Sequence, residues 1–337
     1  MEPPSRRRFL STNDWYAFVN DLRKDPDAAL DLRALRRNVY LDIEALRERP
    51  LFVYAVKFTD TNPMGPITID LGDVDGFTDL VDAVAKDSKV VDVLIHSPGG
   101  SPEATERIVS MLRGRFEDVQ FLVPHSAYSA ATMLALSGNA VILHPSATLG
   151  PIDPQINGTP ARLIRRGFER VRELLRESGP EALPAYLPLI EKYSLEILEI
   201  CDDSLTLSKE LVTEWLGAYM FAGEASATET TIPRVVEFFS DYDTHKTHSR
   251  PLMFDKLKGL GLNISIAESP LRELMREAHI VLSGFFALTH FVKVFENSDS
   301  LSWGRQYQLT GPSAPVSERV EAVMRSDMAM ESKRSAT

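Results

Sequence analysis

One cysteine, Cys201, stands in a chain of 337 residues. A disulfide framework and a zinc cage built from cysteines are both excluded. Long apolar runs are missing too. The longest candidate, His279 to Phe295, is interrupted by His290 and Lys293. It falls short of the roughly 20 apolar residues that cross a bilayer, so no membrane span is expected. Basic residues are the minority, 37 Lys and Arg against 48 Asp and Glu, for a net charge of −11. Nucleic acid, which requires a positive surface, is not an expected partner. Neither a Gly-rich phosphate loop nor a dinucleotide fingerprint occurs. Asp70, Asp73 and Asp75-Gly76 invite a calcium-loop reading, but Leu71 and Asp82 occupy the positions where that pattern needs Asp and Glu. His245 and His248 lack a third ligand at suitable spacing. Neither a metal nor a cofactor is expected.

Near the start, Ser5-Arg6-Arg7-Arg8-Phe9-Leu10 has the look of a twin-arginine export signal. Such a signal needs an apolar stretch behind it, and Ser11-Thr12-Asn13-Asp14-Trp15 stands there instead. A cytoplasmic location is the expectation.

The chain is long enough for two domains, or for one large α/β domain with extensions. Residues 1–50 carry Leu, Arg and Asp at helical spacing and read as a helical N-terminal segment. Four short apolar runs follow: Leu51 to Val56, Val90 to Ile95, Val119 to Val123 and Ala140 to Leu143. Helical stretches separate them, at about Phe77 to Ala85, at residues 102–113 behind a Ser101 cap and Pro102, and at Ser129 to Leu136. Strands alternating with helices predict an α/β fold with a mainly parallel sheet covered by helices. Residues 160–221 read as a helical insertion with a break at Gly179-Pro180, and the core closes at about residue 266. Residues 267–337 are expected to form a helical extension with a mobile tail from about Gly311.

Two strand ends carry the chemistry. The second apolar run stops at His96-Ser97-Pro98-Gly99-Gly100. A glycine pair there lets the backbone bend and present N–H groups outward, which suits either an oxyanion or a plain tight turn. The third run is followed by Pro124-His125-Ser126-Ala127-Tyr128-Ser129-Ala130-Ala131. Small residues on both sides of Ser129 fit a nucleophile elbow, or a helix start packed closely on a sheet. The N–H of Ala130, at the start of that helix, is a candidate second oxyanion donor beside Gly100.

Together these segments resemble the Clp-class serine peptidases, and within them the serine dehydrogenase proteinase family. The resemblance rests on His96 to Gly100, on Pro124-His125 with Ser129-Ala130, on Leu149-Gly150-Pro151-Ile152-Asp153-Pro154-Gln155, and on Thr247-His248 with Pro251. It spans about residues 45–266. It implies a Clp protease/crotonase-like core at residues 51–266, Ser129 as nucleophile, and Gly100 and Ala130 as oxyanion donors. It also implies a homo-oligomer acting on peptide or unfolded protein, with no cofactor.

The general base is the less legible part. His248 is favoured, because Thr247-His248-Ser249-Arg250-Pro251 resembles the family's Thr-His-Asp-x-Pro segment, with Ser249 where the family has aspartate. Asp153, on the rigid turn between Pro151 and Pro154, is the candidate to orient that imidazole. A Ser-Lys dyad using Lys209 or Lys246 is the alternative. His96 and His125 are expected to be structural histidines with their hydrogen bonds satisfied. A non-catalytic peptide-binding scaffold, and acyl-thioester chemistry on the same turns, are the rival functions.

Two surface features complete the reading. Arg162, Arg165, Arg166, Arg170, Arg172 and Arg176 alternate with Glu169, Glu173 and Glu177, a pattern that predicts i,i+4 pairs on a solvated helix. The stripe Ile280, Leu282, Phe285, Phe286, Leu288, Phe291, Val292 and Phe295 is apolar enough to pack on the core or on another subunit.

Overall fold

Five apolar strands lie parallel and side by side in the computed structural model, which describes residues 6–24, 30–59, 65–194 and 196–306. Their spatial order is Ile264–Ile266, Ala140–Leu143, Asp118–Val123, Val90–His96 and Leu51–Val56. Alternate residues serve opposite faces. Phe52, Tyr54, Val93, Ile95, Phe121 and Val123 pack beneath the helices Asp73–Asp82, Pro102–Arg115, Ala130–Leu136 and Ile232–Ser240. Leu51, Val53, Leu94, Leu122 and Ile142 pack beneath Leu32–Arg47 and Leu271–Leu288. Burial on both faces is why four of these strands read as continuous apolar runs rather than as alternating ones, the exception being the edge strand Ile264–Ile266, where Ser265 is exposed. The Ser101 side chain accepts from the Ala104 N–H at 3.0 Å, with Pro102 as the first helical residue, as the cap pattern predicts.

The C-terminal part departs from the expected helical extension. Leu271–Leu288 is a helix, but Phe291–Asn297 is a strand antiparallel to Leu51–Val56, and Ser302–Gln306 pairs beyond it. The sheet therefore has seven strands, and the chain up to Gln306 is one compact unit, so residue 266 is no domain boundary. The apolar stripe divides accordingly. Ile280 to Phe286 lie on the helix and Phe291 to Phe295 on the strand. The expected tail beyond Gly311 lies outside the described residues.

Buried ion pairs fasten the outer elements to this core. Glu277, fully buried, accepts from Arg6, Arg8 and the Phe9 N–H. The run that looked like an export signal thus supplies structural partners to the helix Leu271–Leu288. Glu296 is held by Arg36 at 2.7 Å and Tyr40 at 2.9 Å, and Asp92 by Arg47 and Arg49. Arg36→Ala would take the bidentate partner from the buried Glu296, at a cost of about 3–5 kcal/mol.

The insertion comprises Ala161–Ser178, Leu183–Ile190 and Ile197–Trp215, with the break at Gly179, whose φ is +83°. Among the described residues its arginines form none of the expected i,i+4 pairs. Arg162 and Arg166 both reach Asp243, and Arg165 reaches Asp202 at 2.6 Å. Carboxylates delivered by neighbouring elements make the closer pairs, while Glu169 of the helix itself stands 4.0 Å from Arg162, seven residues away.

Candidate active site

Parallel strands deliver their carboxyl ends to one edge of the sheet, where open α/β folds bind ligands. Val90–His96 leads into Ser97 to Gly100, and Asp118–Val123 leads into Pro124 to Ser129. Backbone hydrogen bonds join the two turns: Ser97 N–H to Ser126 O at 3.1 Å, and Tyr128 N–H to Ser97 O at 3.0 Å. Gly99, at φ +93°, lies directly against the serine bend. A Cβ placed there would stand 2.4 Å from the Tyr128 carbonyl oxygen and 2.7 Å from both the Ala130 nitrogen and the Ser129 Cβ. Two segments about thirty residues apart in sequence thus meet in a single pocket, and only glycine fits at the point of contact.

Ser129 has φ +52° and ψ −125°, a strained conformation for any residue but glycine. It stands immediately before the helix Ala130–Leu136. Thr132 pins this bend, its single hydroxyl proton within reach of the Ala127 carbonyl at 2.8 Å and the Gly150 carbonyl at 3.0 Å, while its oxygen accepts from the Gly150 N–H. Among the described residues the Ser129 hydroxyl and the N–H groups of Gly100 and Ala130 have no hydrogen-bond partner.

Asp153 follows a turn held by the Ile152 N–H, which donates to the Phe239 carbonyl at 2.9 Å. The residue is 1% exposed. One carboxylate oxygen is 2.8 Å from His248 Nδ1 and the other accepts from Gln155 Nε2 at 2.8 Å. A carboxylate only accepts, so Nδ1 carries a proton, and in the neutral ring this tautomer leaves the lone pair on Nε2. Gly100, Ser129, Ala130, Gln155 and His248 line one cleft of about 390 Å³. Met133, Ile152 and Leu207 give the cleft an apolar side, and Thr68 and Glu103 a polar one. Larger hollows of about 770 and 510 Å³ run along the insertion helices and hold no comparable pairing of hydroxyl and imidazole.

The other basic candidates lie elsewhere. Lys209 is paired with Glu237 at 2.7 Å and borders a different hollow. Lys246 is largely exposed, with Asp243 at 4.0 Å. His96 and His125 face the opposite side of the sheet, where they meet His279 of the helix Leu271–Leu288. The ring centroids are 5.4 Å apart for His96 and His125, 5.1 Å for His96 and His279, and 4.4 Å for the stacked pair His125 and His279. His125 bonds Ser126 through Nδ1, but among the described residues the buried Nδ1 atoms of His96 and His279 have no partner, which for His96 departs from the expectation of a satisfied histidine. Desolvation, reinforced by neighbouring imidazoles, pushes His96 down to about 3 and His279 to about 2.

Two of the aspartates that invited a calcium-loop reading are held in ion pairs. Asp73 is buried against Lys293 at 2.7 Å, and Asp70 is held by Arg305 at 2.9 Å. Among the described residues no group of three or more His, Cys, Asp or Glu side chains could hold a metal ion, and no helix is long and apolar enough to cross a membrane. Sequence reasoning missed the contact of Gln155 with Asp153, since nothing in its position beside an Asp-Pro turn signals where an amide will point.

The model of the ClpP-like SDH-type serine proteinase family matches residues 67–176. The matched segment contains Gly100, Ser129, Ala130 and Asp153 and stops before His248. Two uncharacterized proteins of Methanocaldococcus jannaschii are similar. One is 27% identical over 175 residues, which are 52% of this chain and 52% of that protein. The other is 38% identical over 88 residues, 26% of this chain and 30% of that protein. The chain thus spans about half the length, or less, of these curated relatives.

Proposed function

We propose that this chain, which over residues 67–176 belongs with the ClpP-like SDH-type serine proteinases, is a serine endopeptidase that works through an acyl-enzyme at Ser129. The Ser129 hydroxyl attacks the scissile carbonyl while His248 Nε2 takes its proton. Asp153 holds the ring through Nδ1 and stabilises the imidazolium that forms. The N–H groups of Gly100 and Ala130 receive the oxyanion, each worth about 10²–10³ in rate at comparable sites. His248 returns the proton to the departing amine, and water, deprotonated by the same imidazole, releases the acyl group.

The observation that carries this reading is one cleft that contains a serine at φ +52°, two unpartnered backbone N–H groups beside it, and an imidazole anchored at 2.8 Å to a buried carboxylate. The substrate is a peptide or an unfolded protein segment. The exposed Leu183, Leu187, Leu189 and Tyr193 of the insertion supply subunit contacts in a homo-oligomer. Hydrolysis of a fluorogenic peptide library tests the proposal. Wild type releases fluorophore and Ser129→Ala does not; equal release by both would refute it.

A further inference from the structure

We propose that Lys293 is a positioning residue for the oxyanion turn, acting through the backbone carbonyl of Thr68. The inference rests on the peptidase reading above and adds a residue that lies outside the matched segment. Lys293 projects from the antiparallel strand Phe291–Asn297, and its side chain is completely buried. An ammonium group is tolerated there only if each of its donors is used. Its Nζ donates to the Thr68 carbonyl at 2.7 Å, to the Asp73 carboxylate at 2.7 and 2.9 Å, and more weakly to Asp70 at 3.4 Å. Asp73 also accepts from the Tyr54 hydroxyl at 2.8 Å, and Asp70 is clamped by Arg305.

The residue after Thr68 is the one that brackets Gly100. The Ile69 N–H donates to Gly99 O at 2.8 Å, and the Ser101 N–H donates to Ile69 O at 2.9 Å, forming a parallel bridge between Ile69 and Gly100. In such a bridge the bracketed residue turns its own N–H away from the partner chain. The Gly100 N–H is therefore aimed at the cleft by its pairing with Ile69. The fit is close, since a Cβ on Gly100 would lie 2.2 Å from the Ile69 carbonyl oxygen. Residues 65–68 lie in no helix or strand. Their register is instead fixed by the lysine, which grips the carbonyl immediately before the bracket. A buried ion pair is seldom more stabilising than apolar side chains of the same volume. Its value here is directional: it holds one carbonyl, and through it the orientation of one oxyanion donor.

The test compares Lys293→Met with the double variant Lys293→Met/Asp73→Asn in the full chain. The single variant strands the Asp73 charge and lowers Tm. The double variant removes that charge, keeps an acceptor for Tyr54 and restores Tm, while the Thr68 carbonyl stays unheld. The proposal predicts kcat on a fluorogenic peptide about 10- to 100-fold below wild type in both variants. KM stays within about twofold, and the pH profile of kcat/KM keeps its apparent pKa, because His248 and Asp153 are untouched. Recovery of kcat together with Tm in the double variant would show a purely structural lysine and overturn the proposal, as would wild-type kcat in the single variant. Full activity of Ser129→Ala would instead defeat the peptidase reading, an outcome distinct from either.

Discussion

Lowering the pH from 7 to 5 should weaken this fold through two histidines that do not line the candidate cleft. His96 and His279 are buried where the ends of Val90–His96 and Asp118–Val123 meet the helix Leu271–Leu288. His125, His144 and Arg276 act on His279, Arg272 and Glu273 act on His144 in turn, and the ring of Phe58 lies 4.7 Å from that of His96. His125 and His144 are also pushed downward, by desolvation first and by Arg276 second. In the unfolded chain His96 and His279 bind protons with a pKa of 6.5, while in the fold they bind them only near 3 and 2. Both values are depressed, so their contribution is fully present above pH 6.5 and is lost progressively as the pH falls towards 3 and 2. At pH 5 each unfolded imidazole is almost fully protonated and each folded one is neutral. Linkage then gives a loss of about 2 kcal/mol per histidine relative to pH 7, about 4 kcal/mol for the pair. Urea denaturation followed by tryptophan fluorescence at pH 7 and pH 5, at fixed protein concentration and ionic strength, measures it. Wild type should lose about 4 kcal/mol more between the two pH values than a His96→Asn/His279→Gln variant. Equal losses in the two proteins would refute the reasoning, because the histidines would then take up no protons on unfolding.

Three substitutions probe the active site. Asp153→Asn removes the carboxylate that fixes the proton on His248 Nδ1, and kcat for peptide hydrolysis should fall about 10³- to 10⁴-fold with circular dichroism unchanged. Gly99→Ala drives a Cβ into the Tyr128 carbonyl at a φ of +93°. A stability loss of about 2–5 kcal/mol is expected by denaturant titration, and an intact midpoint would contradict the close packing of the two turns. Lys209→Ala breaks only a half-exposed pair with Glu237, so kcat/KM should stay within about twofold of wild type; a hundredfold loss would revive the Ser-Lys dyad.

The parallel core was legible because its strands are buried on both faces. Leu51–Val56 and Ala140–Leu143 match their apolar runs residue for residue, and Val90–His96 and Asp118–Val123 each extend by one. Phe291–Asn297 was not legible. It carries Lys293 and Glu296, whose charges are neutralised by Asp73 and Arg36, partners more than two hundred residues away. No glycine or proline separates it from the preceding helix, so two apolar stripes merged into one helical pattern. The glycine pair and the small residues around Ser129 announced their turns because both positions require backbone that bulky side chains resist. The bond between His248 and Asp153 spans ninety-five residues; family resemblance suggested the histidine and the rigid turn between Pro151 and Pro154 the carboxylate, while spacing suggested neither. The histidine cluster escaped because its members come from two strand ends and a helix far along the chain, and no spacing in the sequence brings His96, His125 and His279 together.

The claim on which the rest depends is that the Ser129 hydroxyl is an activated nucleophile in an accessible cleft. Treating the folded protein with a fluorophosphonate and mapping the adduct by peptide mass spectrometry tests it directly. The account predicts one adduct, on Ser129, formed much more slowly in Asp153→Asn; a folded sample with no adduct, or with an adduct on another side chain, would contradict it.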